Sequence, residues 1–257
     1  MRNLTIYLFS LLSSSFLSKF ENLFSISQGK GFSNPKIESN LIIKFANDNN
    51  LDLKTIFDIG CFKGDYTFEL LKKFSKSKYY LFEPDKTSFN FVKERYSDFK
   101  NINLFNIAIS DKEEEGILYS YGKGSLQGSL IDQDFSHLNI KNDLKQIVKI
   151  RNIQTLFKEF ELDTIDLCKI DIEGNEMKSL LGMGQIIKKI KIIQFEFGPA
   201  SVDSKIFFKD FYNFFLNSGF KIYRITPSKL EKIYDYNESI ENFRVTNFVA
   251  VNNEYID

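Results

Sequence analysis

The chain has 257 residues, 43% hydrophobic and 26% charged, which is enough to bury a sizeable core in one large domain or two small ones. Its 34 basic and 34 acidic residues cancel with no large block of like charge, which argues against a nucleic-acid or anionic-membrane footprint. Two cysteines, Cys61 and Cys168, make no disulfide framework, and one histidine, His137, leaves little from which to build a zinc site or a His-based triad.

The composition is that of a cytoplasmic enzyme or binding domain. The opening stretch MRNLTIYLFSLLSSSFLSKF carries one basic residue before a Leu/Phe/Ser run. It is too short and too rich in serine for a spanning helix of ~20 apolar residues, so no stable membrane insertion is expected. Residues 1–50 read as a helical extension packed on the domain or on a partner; a signal peptide and an interfacial contact are the alternatives. Residues 51–257 read as one domain.

Beyond residue 50, strand-like and helix-like segments alternate. TIFDI is a β-branched and aromatic run, and residues 64–74 follow with Thr67, Leu70, Leu71 and Phe74 on one helical stripe. KYYLFEP is a second strand stopped by Pro84, and DKTSFNFVKERY a second helix with Asp85 as its N-cap. INLFNIAIS is a third strand. Residues 112–153 break the rhythm with a Gly/Ser-rich excursion over the sheet surface, ending in strand-like QIVKIRNI. IDLCKID, a helix over 173–189 and KIIQFEFG restore it. A helix with Phe207, Phe211, Phe214 and Phe215 on one stripe precedes the strands KIYRIT and FRVTNFVAV. Repeated βα units imply an α/β fold, with a mainly parallel sheet covered on both faces.

In such a sheet, ligands sit beyond the carboxyl ends of the strands. Asp58-x-Gly60-x-x-x-Gly64 lies on a strand-to-helix turn there, with glycines where a ligand must touch backbone. Asp58 would accept a hydrogen bond from a cationic or hydroxyl group. The pattern is neither the dinucleotide G-x-G-x-x-G nor a phosphate loop. Glu83 ends the second strand, where an acidic side chain grips ribose hydroxyls, so the pair favours S-adenosylmethionine over NAD.

DIGCFKGDYT, FEP at 82–84, AISD at 108–111, KIDIEGNEMKSLLG at 169–182 and FEFG at 195–198 together resemble the FkbM-type S-adenosylmethionine-dependent methyltransferases over roughly residues 55–200. The resemblance implies a Rossmann-like class I methyltransferase sheet of about seven strands, the last antiparallel. It also implies that Asp58, Gly60, Cys61, Gly64, Tyr66 and Thr67 build the cofactor turn, that Glu83 and Pro84 meet the ribose, and that Ala108 and Ile109 border the adenine. Asp171 would face the transferable methyl group. The chain departs from the family at Phe62 and Lys63, where a small polar residue and a glycine are usual.

Methyl transfer to a hydroxyl needs positioning and removal of a proton, by a base or with help from a metal. Lys169, Asp171 and Glu173 alternate along one strand, and Glu196 sits on the strand expected beside it. They are the catalytic candidates; were a divalent cation required, Asp171 and Glu196 would be its ligands. Glu173 and Glu176 also read as acidic residues complementing a helix N-terminus. Cys61 and Cys168 read as buried packing residues, and His137, in the excursion, as a surface residue or a base. The expected acceptor is a hydroxyl of a sugar, a surface glycan or a small molecule, with no nucleic-acid partner and a homo-oligomer left open. A NAD- or nucleotide-sugar-dependent oxidoreductase and a catalytically silent binding module are the alternatives.

Overall fold

A computed structural model describes residues 9–10, 12–120, 128–136 and 144–256. Before the sheet lie α1 (Ser14–Ser27), capped by the Ser13 hydroxyl, and α2 (Pro35–Asp48), capped by Asn34 with Pro35 at its first position. They behave differently. Helix α1 buries none of its side chains and exposes Phe16, Phe20 and Phe24, while Arg244 bonds to Asn22 at 2.8 Å. Helix α2 buries Ile42 and Ala46 in the core.

The alternation then runs as β1 (Thr55–Ile59), α3 (Asp65–Leu71), β2 (Lys78–Phe82), α4 (Lys86–Arg95) and β3 (Ile102–Phe105). Asp85 caps α4, accepting from the Ser88 amide at 2.8 Å. The next stretch departs from the expected excursion. β4 (Ala108–Ile109), β5 (Glu114–Ser120), β6 (Gly128–Ser129) and β7 (Leu144–Arg151) form a separate four-stranded sheet in the order β4-β7-β5-β6. It has its own small core of Ala108, Leu118, Val148 and Ile150. INLFNIAIS therefore splits between two sheets.

The main frame resumes with α5 (Ile153–Glu159), β8 (Ile165–Ile170), α6 (Glu176–Leu181), a 3-10 segment (Gly184–Lys189) and β9 (Ile190–Phe197). The continuous helix expected over 173–189 is broken. A Cβ at Gly182 would stand 2.4 Å from the Ser110 carbonyl oxygen, so the chain turns where the two sheets touch. The C-terminal part holds α7 (Ala200–Ser204), α8 (Phe208–Asn217), β10 (Phe220–Ile225), β11 (Leu230–Ile233) and β12 (Thr246–Asn252). Phe207 lies outside α8 and is exposed, whereas Phe208, Phe211 and Phe215 are buried and contribute about 1.5–3 kcal/mol each.

The main sheet has eight strands in the order β11-β10-β12-β9-β8-β1-β2-β3. β3, β2, β1, β8 and β9 are parallel, and β12 is antiparallel to both neighbours, as the class I methyltransferase fold requires. The eighth strand is β11, an antiparallel hairpin partner of β10 absent from the sequence reading. One face packs Phe57, Ile170, Phe195 and Phe248 against α5, α6 and α8. The other packs Ile56, Leu167, Ile192 and Val249 against α2, α3 and α4.

Candidate active site

A cleft open to solvent lies beyond the carboxyl ends of β1, β2 and β8. Its floor is the β1–α3 turn. Gly60 has φ +75°, and a Cβ there would lie 1.9 Å from the Asp171 carbonyl oxygen, so only glycine lets the ends of β1 and β8 meet. Of the candidate cofactor residues, Gly60, Glu83, Pro84, Ala108, Ile109 and Asp171 line the cleft, and so does the catalytic candidate Glu173. Phe62, also in the lining, adopts φ +49°. Leu118, Gly128 and Leu130 bring the small sheet in as one wall.

Glu83 is buried at the end of β2. One carboxylate oxygen accepts from the Phe62 amide at 2.8 Å and the other from the Asp85 amide at 2.9 Å. Each oxygen keeps a further lone pair for a ligand hydroxyl. Burial raises its pKa to about 7, against the lowering effect of those two amides.

The remaining candidates are not in the lining of the cleft. Asp58 is fully buried: one oxygen accepts from the Thr67 hydroxyl at 2.6 Å, and the other has no hydrogen bond and stands 3.8 Å from the Lys169 ammonium. The hydroxyl and the cation anticipated for Asp58 are thus supplied by the protein itself. Lys169 donates to Asp171 at 3.0 Å. Burial opposes the lysine's charge, but Asp171 and Asp58 outweigh it and raise its pKa. Burial likewise raises the pKa of Asp58, with Lys169 opposing.

Register explains this grouping. Asp58, Lys169 and Gln194 are Cα partners across β1, β8 and β9, and all three face the α2 and α3 side. The Tyr66 hydroxyl donates to Gln194 at 2.7 Å, and the Gln194 amide donates to Glu38 of α2 at 2.8 Å. Asn247 of β12 also reaches Glu38, at 3.3 Å. Glu38, Gln194 and Asn247 escaped the sequence reading. One signal was available: a glutamine inside the apolar strand KIIQFEF must find a buried partner.

Beyond β8 the strand geometry ends. Lys169 and Asp171 do share a face, but Glu173 has φ +55° and belongs to a turn. Glu176, first residue of α6, closes that turn by accepting from the Ile172 amide at 2.9 Å and the Gly174 amide at 2.9 Å. Ser129 and Gln133 bond to the Glu173 carbonyl at 2.7 and 2.8 Å, tying the small sheet to it. Burial raises the pKa of Glu176 to about 7. Burial first, then the Asp171 charge, raises the pKa values of Glu173 and Glu196.

Asp58, Asp171, Glu38, Glu173 and Glu196 thus surround one ammonium, that of Lys169. Among the described residues, no group of three or more His, Cys, Asp and Glu has an arrangement able to hold a metal ion. Cys61 and Cys168 are buried free thiols, and burial pushes both pKa values up. Gly64 caps α3 beside Tyr96, whose hydroxyl donates to the Gly64 carbonyl. His137 and residues 121–127 of the Gly/Ser-rich segment lie outside the described residues.

The cleft thus offers a carboxylate for vicinal hydroxyls, an apolar strip of Phe82, Ile107, Ala108 and Ile109, and an acidic end. That donor set fits a nucleoside carrying a cationic tail. The family model of the methyltransferase FkbM domain matches residues 58–222. A curated relative, the 2-O-methyltransferase NoeI of Sinorhizobium fredii (strain NBRC 101917 / NGR234), is 29% identical over an alignment of 157 residues that covers 57% of this chain and 64% of that protein. Among solved structures, an S-adenosylmethionine-dependent methyltransferase from Clostridium acetobutylicum ATCC 824 is similar at TM-score 0.48 and 12% identity, covering 92% of this chain and 98% of that one. Magnesium protoporphyrin IX methyltransferase from Synechocystis PCC 6803 aligns at TM-score 0.45 and 12% identity, over 96% of each chain. Among the described residues, no helix is long and apolar enough to cross a membrane.

Proposed function

The chain belongs to the FkbM methyltransferase family, and from that premise we propose that it methylates a hydroxyl group with S-adenosylmethionine as donor. The observation carrying this reading is that Glu83, the Gly60 turn and Asp171 face one cleft. The name of the 2-O-methyltransferase relative supports oxygen as the accepting atom. A sugar or glycan acceptor agrees with the carboxylate-rich end of the cleft, which would accept hydrogen bonds from several hydroxyls. No observation favours the oxidoreductase or silent-module alternatives.

The cofactor, when bound, would supply an electrophilic methyl group, its S–CH3 bond breaking to leave S-adenosylhomocysteine as the neutral thioether. The chain supplies place and proton balance. Glu83 would take the ribose hydroxyls on its free lone pairs, with Ala108 and Ile109 against the base. Asp171 is the residue that would orient the acceptor hydroxyl and take its proton, which passes from the hydroxyl oxygen to a carboxylate oxygen as the new C–O bond forms. Lys169, at 3.0 Å, fixes the rotamer of Asp171 and balances its charge; Asp58 in turn anchors Lys169. Glu196 and Glu173, with raised proton affinity, would line the acceptor side and hold protons there.

The test is methyl transfer from isotopically labelled S-adenosylmethionine into a panel of sugars and glycans, with the product located by mass spectrometry. The reading expects an O-methylated product in the parent and none with Asp171→Asn. Methylation at nitrogen or carbon, or undiminished turnover by Asp171→Asn, would refute it.

A further inference from the structure

A second, open cleft lies at the same sheet edge, over the β10–β11 hairpin. Lys30, Arg224, Lys229 and Lys232 line it against only Glu231 and Asp235. The lining thus holds four cations and two carboxylates in a chain whose overall charge is zero, with Lys229 3.9 Å from Glu231 and Lys232 paired in register with Tyr223. Arg224 spends one terminal nitrogen on Glu231 at 2.7 Å, and its buried Nε–H has no acceptor among the described residues. Burial first, then Arg224 and Arg244, lowers the pKa of Lys30, whose ammonium donates to the Ser239 carbonyl at 3.3 Å.

The register relates this cleft to the active site. Arg224, Phe248, Phe195 and Ile170 are successive Cα partners across β10, β12, β9 and β8, so Arg224 lies three strands from the residue preceding Asp171. That is about 14 Å at about 4.8 Å per strand, the length of a few sugar units. The chain from Lys30 runs along the edge between the two clefts: the Gly31 amide bonds to the Val245 carbonyl at 2.7 Å, Phe32 bridges Thr246, and Glu38 follows within the buried polar network.

We propose that this cleft binds a phosphate group carried by the acceptor, three strands (about 14 Å) across the sheet from the end of β8; the assignment of the phosphate to the acceptor rests on the methyltransferase reading. The local excess of two positive charges matches a phosphate ester, which carries about −1.5 to −2 at neutral pH. A guanidinium among ammonium groups suits its oxygens.

The test is calorimetric titration of the full chain at low ionic strength with inorganic phosphate and with glucose 1-phosphate, each in the presence of S-adenosylhomocysteine. Lys30→Ala and the double variant Lys229→Ala/Lys232→Ala should each weaken phosphate binding about tenfold, with S-adenosylhomocysteine affinity unchanged within about twofold. Lys229 is well exposed, so the double variant stays informative should Lys30→Ala fold poorly. The sugar phosphate should bind more than about threefold tighter than inorganic phosphate, because the sugar extends into the groove. No phosphate binding by the parent, or parental binding by the variants, would overturn the site. Equal affinities for the two probes would assign the cleft to a free anion and overturn its link to the acceptor. Intact phosphate binding without any S-adenosylhomocysteine binding would instead sink the methyltransferase reading.

Discussion

Replacing Lys169 by methionine tests whether Asp58 and Lys169 form an electrostatic unit. The substitution keeps the length of the side chain and removes the cation 3.8 Å from the fully buried Asp58. Asp58 then retains only the Thr67 hydroxyl. Breaking a buried pair by deleting one partner costs about 3–5 kcal/mol, unless the orphan escapes by taking up a proton. That escape sets a ceiling. Holding an acid neutral in the fold at pH 7, when its unfolded pKa is about 3.9, costs at most about 4 kcal/mol. Part of this is already present in the parent, where burial raises the Asp58 pKa, so a loss of about 2–4 kcal/mol is expected at pH 7. Loss of the Asp171 contact adds little, because that side chain is 30% exposed and water can replace the ammonium.

The sign of the pH dependence follows from the same pKa. An acid whose folded pKa is raised destabilises the fold only above its unfolded pKa, so the penalty should shrink by about 1.4 kcal/mol per pH unit on acidification and be small near pH 4. Urea unfolding of the parent, Lys169→Met, Asp58→Asn and the double variant at pH 7 and pH 4.5 gives the cycle. The double variant should recover most of the loss at pH 7. A pH-independent penalty, or a coupling energy near zero, would refute the pairing of Asp58 with Lys169.

Other outcomes follow from the cleft. Glu83→Gln should weaken S-adenosylhomocysteine binding by about 1–3 kcal/mol in calorimetry, because an amide replaces one acceptor oxygen; parental affinity would remove Glu83 from the ribose site. Glu83 and Glu176, with pKa values raised to about 7, contribute stability that is present below their unfolded pKa and lost as pH rises through about 7. The urea midpoint without ligand should therefore fall between pH 5 and pH 8, and a rise over that range would contradict the assignment. Gly60→Ala places a Cβ 1.9 Å from the Asp171 carbonyl oxygen at φ +75° and should destabilise by more than about 2 kcal/mol in the same unfolding assay. Asp171→Asn should leave S-adenosylhomocysteine affinity within a few-fold of the parent in calorimetry; a loss beyond about tenfold would make Asp171 a binding residue first.

The parallel frame was legible because its strands are buried on both faces and read as apolar runs between amphipathic helices. The Gly60 turn and Glu83 at the end of β2 follow from that alternation, and Asp171 at the end of β8 from the alternation together with the family resemblance. The second sheet was not legible: β4 and β6 are two residues each and exist only through long-range pairing with β7 and β5. Helix α6 stops early through a close approach to Ser110, 72 positions back in the chain by the numbering of Gly182 and Ser110, which no local propensity encodes. Glu38 joins the site across a separation of 156 residues from Gln194, and as an acidic residue in the first turn of a helix it reads locally as ordinary dipole compensation. The β10–β11 cleft escaped for a related reason: Lys30 and Lys229 look like isolated charges until the fold sets them around Arg224.

The central claim is that the cleft between Glu83 and Asp171 binds the methyl donor. Calorimetric titration of the parent with S-adenosylhomocysteine tests it most directly, with NAD titrated in parallel. One molecule of S-adenosylhomocysteine should bind per chain, with the affinity reduced by Glu83→Gln, while NAD gives no heat of binding. Saturable binding of NAD with none of S-adenosylhomocysteine would contradict it.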